Sequence, residues 1–354
     1  MARLSRLKLS MTTAILLVGI IFAIFLAAIM YIVSIFWQLP PLGMYVIAVV
    51  GAVFFIFTQY LIGPAIVRAA TRLRYLKPGE NPWLEETTKR LAEKSGLPMP
   101  KLATVPDETP NAFVFGRTAS SATLALHEGL LKQLNKEEIE GVIAHELGHL
   151  RHKDYLVMTA LSAIPLIAYI IARVSFEAMR FGRVGGGRKK ESGAIWIAIL
   201  AAAFFSYIVY MITQLCVMGL SRLREHYADA YSAYLTGEPR QLQSALTKIT
   251  YGLSLSPKPP SGARTFYIGD PATAKQEFQG ILARKQEYDL DKDGVLDEKE
   301  LEIAMEKEAK NTWVKVNTLF ATHPATYKRL LLLREIEKEM ETGKFTSSNI
   351  YARI

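Results

Sequence analysis

The sequence predicts an α-helical membrane protein with a mixed α+β portion outside the bilayer. Three observations carry this reading. The 354-residue chain is 50% hydrophobic, and the excess is gathered into long uncharged blocks. Between and after those blocks lie stretches of ordinary mixed composition. One of these stretches holds His145-Glu146-Leu147-Gly148-His149 within a segment of helical periodicity.

Residues 1–10 carry Arg3, Arg6 and Lys8, and residues 11–37 follow with no charge. At about 1.5 Å per residue this block exceeds the roughly 30 Å hydrocarbon core. It is too long for a signal peptide, so it reads as an uncleaved transmembrane helix. A short turn at Gln38 to Gly43 contains Pro40 and Pro41, and a second apolar block runs over 42–67 and ends at Arg68. Basic residues flank the outer ends of this hairpin (1–68), and none lies in its turn. The positive-inside rule therefore places residues 1–10 and the chain after Arg68 in the cytosol, with the hairpin in the plasma membrane.

Residues 69–154 read as the first half of a domain outside the bilayer. Pro82 to Ser95 forms an amphipathic helix with Trp83, Leu84, Leu91 and Ala92 on one side. Lys101 to Val105, Ala112 to Arg117 and Ser121 to Leu126 read as strands. A helix opens after Asn135, with Glu138 completing a capping box and Ile139, Val142, Ile143, Leu147 and Leu150 forming the apolar stripe.

A second membrane hairpin is expected over 155–221. Its blocks are Tyr155 to Ala172, interrupted by Pro165, and Gly193 to Ser221. The connection carries Arg180, Arg183, Arg188, Lys189 and Lys190, which the positive-inside rule would keep in the cytosol. Either the shorter block is not a true span or packing overrides the charge bias; four spans is the reading adopted. The second half of the outer domain follows at 222–271, with a Pro-rich loop at Ser256 to Gly262. A charged helical insertion covers 272–315, and the domain closes over 316–354. Thr326 to Glu341 reads as a helix, and the tail from Thr342 as loosely held.

The net charge of +9 and pI of about 9.4 would favour nucleic acid in a soluble protein. Here the basic residues border apolar blocks and suit an anionic lipid bilayer. There is no nucleic-acid motif, and no nucleic-acid partner is expected. The single cysteine, Cys216, lies in an apolar block. It excludes intrachain disulfides and a cysteine-ligated metal site.

His145 and His149, four residues apart on one helix face, can both reach one Zn²⁺. Glu146 between them can act as a general base toward water. Catalytic zinc takes a third protein ligand. His152 lies near the same face but past the turn that would clasp the metal, and it reads as a solvated surface residue. His226 adjoins a better candidate, the Glu225 and Asp229 pair at i and i+4. One of these carboxylates can bind the metal while the other accepts the free ring N–H of a ligand histidine.

A second motif lies in the insertion. Asp289 to Glu300 fits a twelve-residue EF-hand loop. Asp289, Asp291 and Asp293 occupy positions 1, 3 and 5, and Gly294 takes the sharp turn. Val295 would offer its carbonyl, Asp297 would act through water, and Glu300 would be bidentate. Thr273 to Tyr288 and Glu298 to Lys310 read as entering and exiting helices. The loop has no second copy to pair with. The expectation is one Ca²⁺ per chain, which stabilises the fold and changes activity.

Taken together, these residues resemble the HtpX-type membrane zinc endopeptidases, related to the CAAX-prenyl proteases. The resemblance runs through Pro110-Asn111-Ala112-Phe113, Glu128-Gly129-Leu130-Leu131, the His145 to His149 motif, Arg224-Glu225 with Ala228-Asp229, Tyr267 to Pro271, and Thr322-His323-Pro324 with Arg329. The 272–315 insertion departs from it. The resemblance implies an α+β zincin (gluzincin) catalytic domain with His145, His149 and Glu225 binding Zn²⁺ and Glu146 as general base. Asp229 would orient a ligand histidine, His323 would stabilise the oxyanion, and Arg329 would support His323. Asn111, Ala112 and Phe113 would belong to an edge strand that pairs with an extended substrate. The expected substrates are misfolded or damaged membrane proteins or unfolded polypeptides. A dedicated processing peptidase and a catalytically silent scaffold are the alternatives; the intact Glu146 argues against the scaffold.

Overall fold

A computed structural model describes residues 4–37, 40–182, 191–255, 268, 274–275, 279, 281, 283–291, 300–301, 303–304, 307, 321–347, 349–351 and 354. In chain order the elements are α1 (Leu4–Trp37), α2 (Pro41–Thr71), β1 (Arg74–Tyr75), α3 (Pro82–Ser95), β2 (Lys101–Val105), β3 (Ala112–Phe115), β4 (Thr123–His127), α4 (Glu128–Gln133), α5 (Lys136–Arg151), α6 (Asp154–Gly182), α7 (Glu191–Thr236), α8 (Pro239–Leu255), the single turn α9 (Lys285–Tyr288) and α10 (Thr326–Glu341). The chain divides into two compact units. One is built mainly of Pro64–Tyr155 and Ser221–Ile354, and the other of Lys8–Gly63 and Leu156–Leu220.

The second unit is helical. Among the described residues, four helices are long and apolar enough to cross a membrane, over Leu9–Ser34, Leu42–Thr71, Asp154–Arg180 and Ile195–Thr236. Phe22, Phe25, Leu26 and Ile29 of α1 bury against Ala168 of α6, with Tyr45 and Val49 of α2 and Ala202 and Val209 of α7 packed on the cluster. Val50, Phe54, Phe57, Phe204 and Phe205 are exposed. Such faces are costly in water and ordinary in lipid. Pro165 does not interrupt the third block: α6 runs through it from Asp154 to Gly182. Spanning helices tolerate proline because neighbouring groups satisfy the freed carbonyl.

The first unit is α+β. Its sheet has the order β1-β2-β4-β3. Strands β2 and β4 are parallel, with Ala103 opposite Ala125, and β3 is antiparallel to β4, with Phe113 also opposite Ala125. Strand β3 is therefore an edge. Ala103, Val105, Phe113, Phe115 and Ala125 form a buried cluster with Leu73.

Helix α5 begins as its sequence dictates. The Asn135 side chain accepts the Glu138 N–H at 2.8 Å, and the Glu138 carboxylate accepts the Asn135 N–H at 2.9 Å. Two glycines admit its neighbours. A Cβ on Gly148 would lie 3.1 Å from Ala228 Cα in α7, and one on Gly141 would lie 2.9 Å from the Leu242 backbone nitrogen in α8. The close approach at Gly148 sets Glu225 and Asp229, on the same stretch of α7, beside the two histidines.

The tail is not loose. Tyr351 is buried, and its hydroxyl lies 2.7 Å from His152 Nε2. Its ring packs on Tyr227, whose centroid is 4.8 Å away. The aromatic content of the last residues outweighs the usual tendency of termini to fray.

Candidate metal centre

His145 is fully buried, and His149 exposes 15% of its side chain. Their Nε2 atoms face each other at 3.1 Å. Glu225 reaches both: one carboxylate oxygen is 3.4 Å from His145 Nε2 and the other is 3.4 Å from His149 Nε2. The opposite ring nitrogens are held by carboxylates. His145 Nδ1 lies 2.9 Å from Asp229 Oδ1, and His149 Nδ1 lies 2.6 Å from Asp154 Oδ2. Each Nδ1 thus donates outward, and each Nε2 turns a lone pair inward.

This arrangement fits a small cation. Nitrogens bound to one tetrahedral Zn²⁺ at about 2.0–2.1 Å sit roughly 3.3 Å apart, close to the observed spacing. Glu225 Oε2 is buried and makes no hydrogen bond among the described residues. The set of His145, His149 and Glu225 matches the donors of catalytic zinc sites. Burial alone would disfavour a charged His145, but hydrogen bonds to Asp229 and Glu225 outweigh it and raise its pKa.

Glu146 is 3% exposed. Burial pushes its carboxyl above the usual range, against the opposing pull of His149 and His145. It also hydrogen-bonds the Val114 backbone, which brings it to β3, the edge strand. His323 is buried, with Nδ1 2.9 Å from Thr322 Oγ1 and Nε2 3.6 Å from Glu225 Oε1. Two residues before His323 the chain is fastened by Arg222, which donates to the Ala321 carbonyl at 2.8 Å.

Arg329, expected to support His323, is fully buried; it donates to both oxygens of Asp229 at 2.8 and 2.7 Å and to the Ile268 carbonyl, and its Nη1 lies 3.5 Å from Glu225 Oε2. Asn111 precedes β3 and is buried, and its side-chain oxygen accepts the Ile268 N–H at 2.9 Å. The Ile268 backbone is thus held from both sides, by Asn111 and Arg329. Ala112 and Phe113 lie on β3 with buried side chains.

His152 departs from the sequence expectation. It is part-buried, among the rings of Tyr227, Tyr231 and Tyr351, with centroids 6.1, 5.7 and 5.6 Å away. Burial drives its pKa down to about 3. It lies outside the metal cluster because α5 ends before it. Asp154 is the site residue that sequence reasoning missed. It stands five positions after His149 across a helix end, where helical spacing carries no information.

In the insertion, carboxylate oxygens of Asp289, Asp291 and Glu300 lie within 4.8 Å of one another. Glu300 is 3% exposed and accepts the N–H groups of Leu290 at 2.6 Å and Asp291 at 3.4 Å. Asp293, Val295 and Asp297, with part of the entering helix and most of the exiting one, lie outside the described residues.

The model of peptidase family M48 matches residues 78–337. A protease HtpX homolog of Aeropyrum pernix is 34% identical over 278 residues, covering 78% of this chain and 82% of its own. A protease HtpX homolog of Methanothermobacter thermautotrophicus is 38% identical over 257 residues, covering 72% and 90%. Among solved structures, S. mikatae Ste24p aligns with a TM-score of 0.48 at 18% identity, covering 91% of this chain and 63% of that one.

Proposed function

The chain belongs to peptidase family M48 and is a membrane protease; from that premise we propose that it is a zinc endopeptidase in which His145, His149 and Glu225 hold the metal and Glu146 is the general base. The observation that carries the reading is the buried Glu225, 3.4 Å from both inward-facing ring nitrogens. When bound, zinc supplies Lewis acidity toward the scissile carbonyl and toward water.

The chain's own residues do the rest. Asp229 and Asp154 fix the ring orientation of the two histidines. The raised pKa of Glu146 suits a group that takes a proton from water and passes it to the leaving amine. His323, beside Glu225, is placed to donate toward charge developing on the carbonyl oxygen. Arg329 acts through Asp229 and Ile268. The edge strand β3, at Ala112 and Phe113 with Asn111 setting its start, would pair with an extended substrate backbone. That mode reads little sequence. It suits disposal of misfolded or damaged membrane proteins on the cytosolic face of the plasma membrane.

Calcium modulation is the second part of the reading, favoured by the complete loop pattern at Asp289, Asp291, Asp293, Val295, Asp297 and Glu300. The approach of Glu300 to the loop start supports it, since an EF-hand closes position 12 onto position 1.

Metal content and casein cleavage by the detergent-purified protein test the enzyme reading: about one zinc per chain with cleavage supports it, and neither supports a silent scaffold. Peptide profiling separates broad disposal from processing of one substrate. Calorimetric titration with Ca²⁺ tests the loop. Uptake lost in Glu300→Gln is expected, and no uptake at millimolar Ca²⁺ contradicts it.

A further inference from the structure

We propose that Asp154 and Arg224 form a buried positioning pair that orients His149 for its metal, a role that rests on the zinc reading above and adds two residues to it. Helix α5 ends at Arg151, and the chain turns back through Lys153, whose φ of 58° lies in the left-handed region. A non-glycine residue there costs about 1 kcal/mol or more. The turn presents Asp154, the first residue of α6, to the ring it has just passed. Asp154 Oδ2 lies 2.6 Å from His149 Nδ1 and accepts from Arg224 Nη2, also at 2.6 Å.

The pair is set deep. The side chains of Asp154 and Arg224 are 4% and 5% exposed. Asp154 Oδ1 and Arg224 Nε are buried without hydrogen-bond partners among the described residues. A buried ion pair with unsatisfied atoms is a poor source of stability, because desolvation offsets the attraction. Its geometry instead serves the histidine. The carboxylate fixes the Nδ1–H tautomer and turns Nε2 toward the metal position. Arg224 holds that carboxylate in place through its 2.6 Å contact with Oδ2.

The same construction serves the other histidine, where Arg329 holds Asp229 and Asp229 holds His145 Nδ1. Two Arg–Asp–His chains therefore converge on one centre. One uses a guanidinium from α10, and the other uses one from α7, directly beside Glu225.

The test uses the full chain in detergent and follows zinc release to a chelator, the absorption spectrum of the Co²⁺-substituted protein, and kcat and KM separately. Asp154→Asn keeps the shape and removes the charge. It is expected to weaken zinc binding about 10–100-fold, shift the Co²⁺ bands and lower kcat with KM little changed, and Asp154→Glu should partly restore binding. Arg224→Lys should move the same readouts in the same direction by less, and it decides the matter if Asp154→Asn does not fold. Zinc release and Co²⁺ bands unchanged from the parent protein would overturn the positioning role. A parent protein that binds no zinc would instead overturn the zinc reading itself.

Discussion

Glu225 and His152 compete in the sequence for the third ligand position, and the structure separates them by environment. Glu225 faces both histidines at 3.4 Å, whereas His152 is committed to Tyr351. Glu225→Ala should therefore lose zinc as completely as His149→Ala, while His152→Ala keeps about one zinc per chain; metal analysis of the three proteins checks this. The i, i+4 logic that marks His145 with His149 and Glu225 with Asp229 is legible because a helix repeats it. Asp154 is not legible, because its link to His149 depends on a left-handed turn at Lys153. Arg329 is legible in the sequence only by its nearness to His323. Sequence order sets it near His323, and only the packing of α10 shows that it spans Asp229 and Ile268.

Elements with strong local signals match their expected bounds. Helix α3 starts at its Asn81 cap and ends at Gly96, which is left-handed with φ 64°. Strand β2 and helix α10 likewise keep their expected limits. Helix α8 was not anticipated, although Pro239 at its start and the stripe of Leu242, Ala245, Leu246, Ile249 and Leu253 announce it. Strand β1 has only two residues, too few for any period. At this scale Gly148 is the sensitive point, since α5 and α7 each carry part of the metal site. Gly148→Ala would force a Cβ to 3.1 Å from Ala228 Cα. Such overpacking costs about 1–3 kcal/mol and should move Glu225 away from the histidines. The expected result is a lower thermal midpoint together with about 10-fold or greater loss of zinc affinity, measured by melting and chelator competition. An equally stable variant with unchanged affinity would mean that the helix contact does not set the site.

For the molecule as a whole, the metal cluster requires residues 69–154 and 222–354 to share one side of the membrane, whatever the path of the chain between them. Single cysteines near residues 90 and 340, on a Cys216→Ser background, should label from the same side in sealed vesicles, and the proposed orientation, drawn from the positive-inside rule, expects that side to be the cytosolic one. Labelling from opposite sides would break the domain apart. Long uncharged blocks made the membrane character plain from sequence, but the division into two compact units, each assembled from separate stretches of chain, depends on contacts that no local pattern encodes. The most direct test of the central claim is the Glu146→Gln protein, assayed for zinc and casein cleavage beside the parent. In the proposed mechanism Glu146 is a base and not a ligand, so zinc should remain at about one per chain while cleavage falls at least about 10²–10⁴-fold, the usual contribution of a positioned general base. Cleavage at the parent rate by zinc-loaded Glu146→Gln would contradict the mechanism.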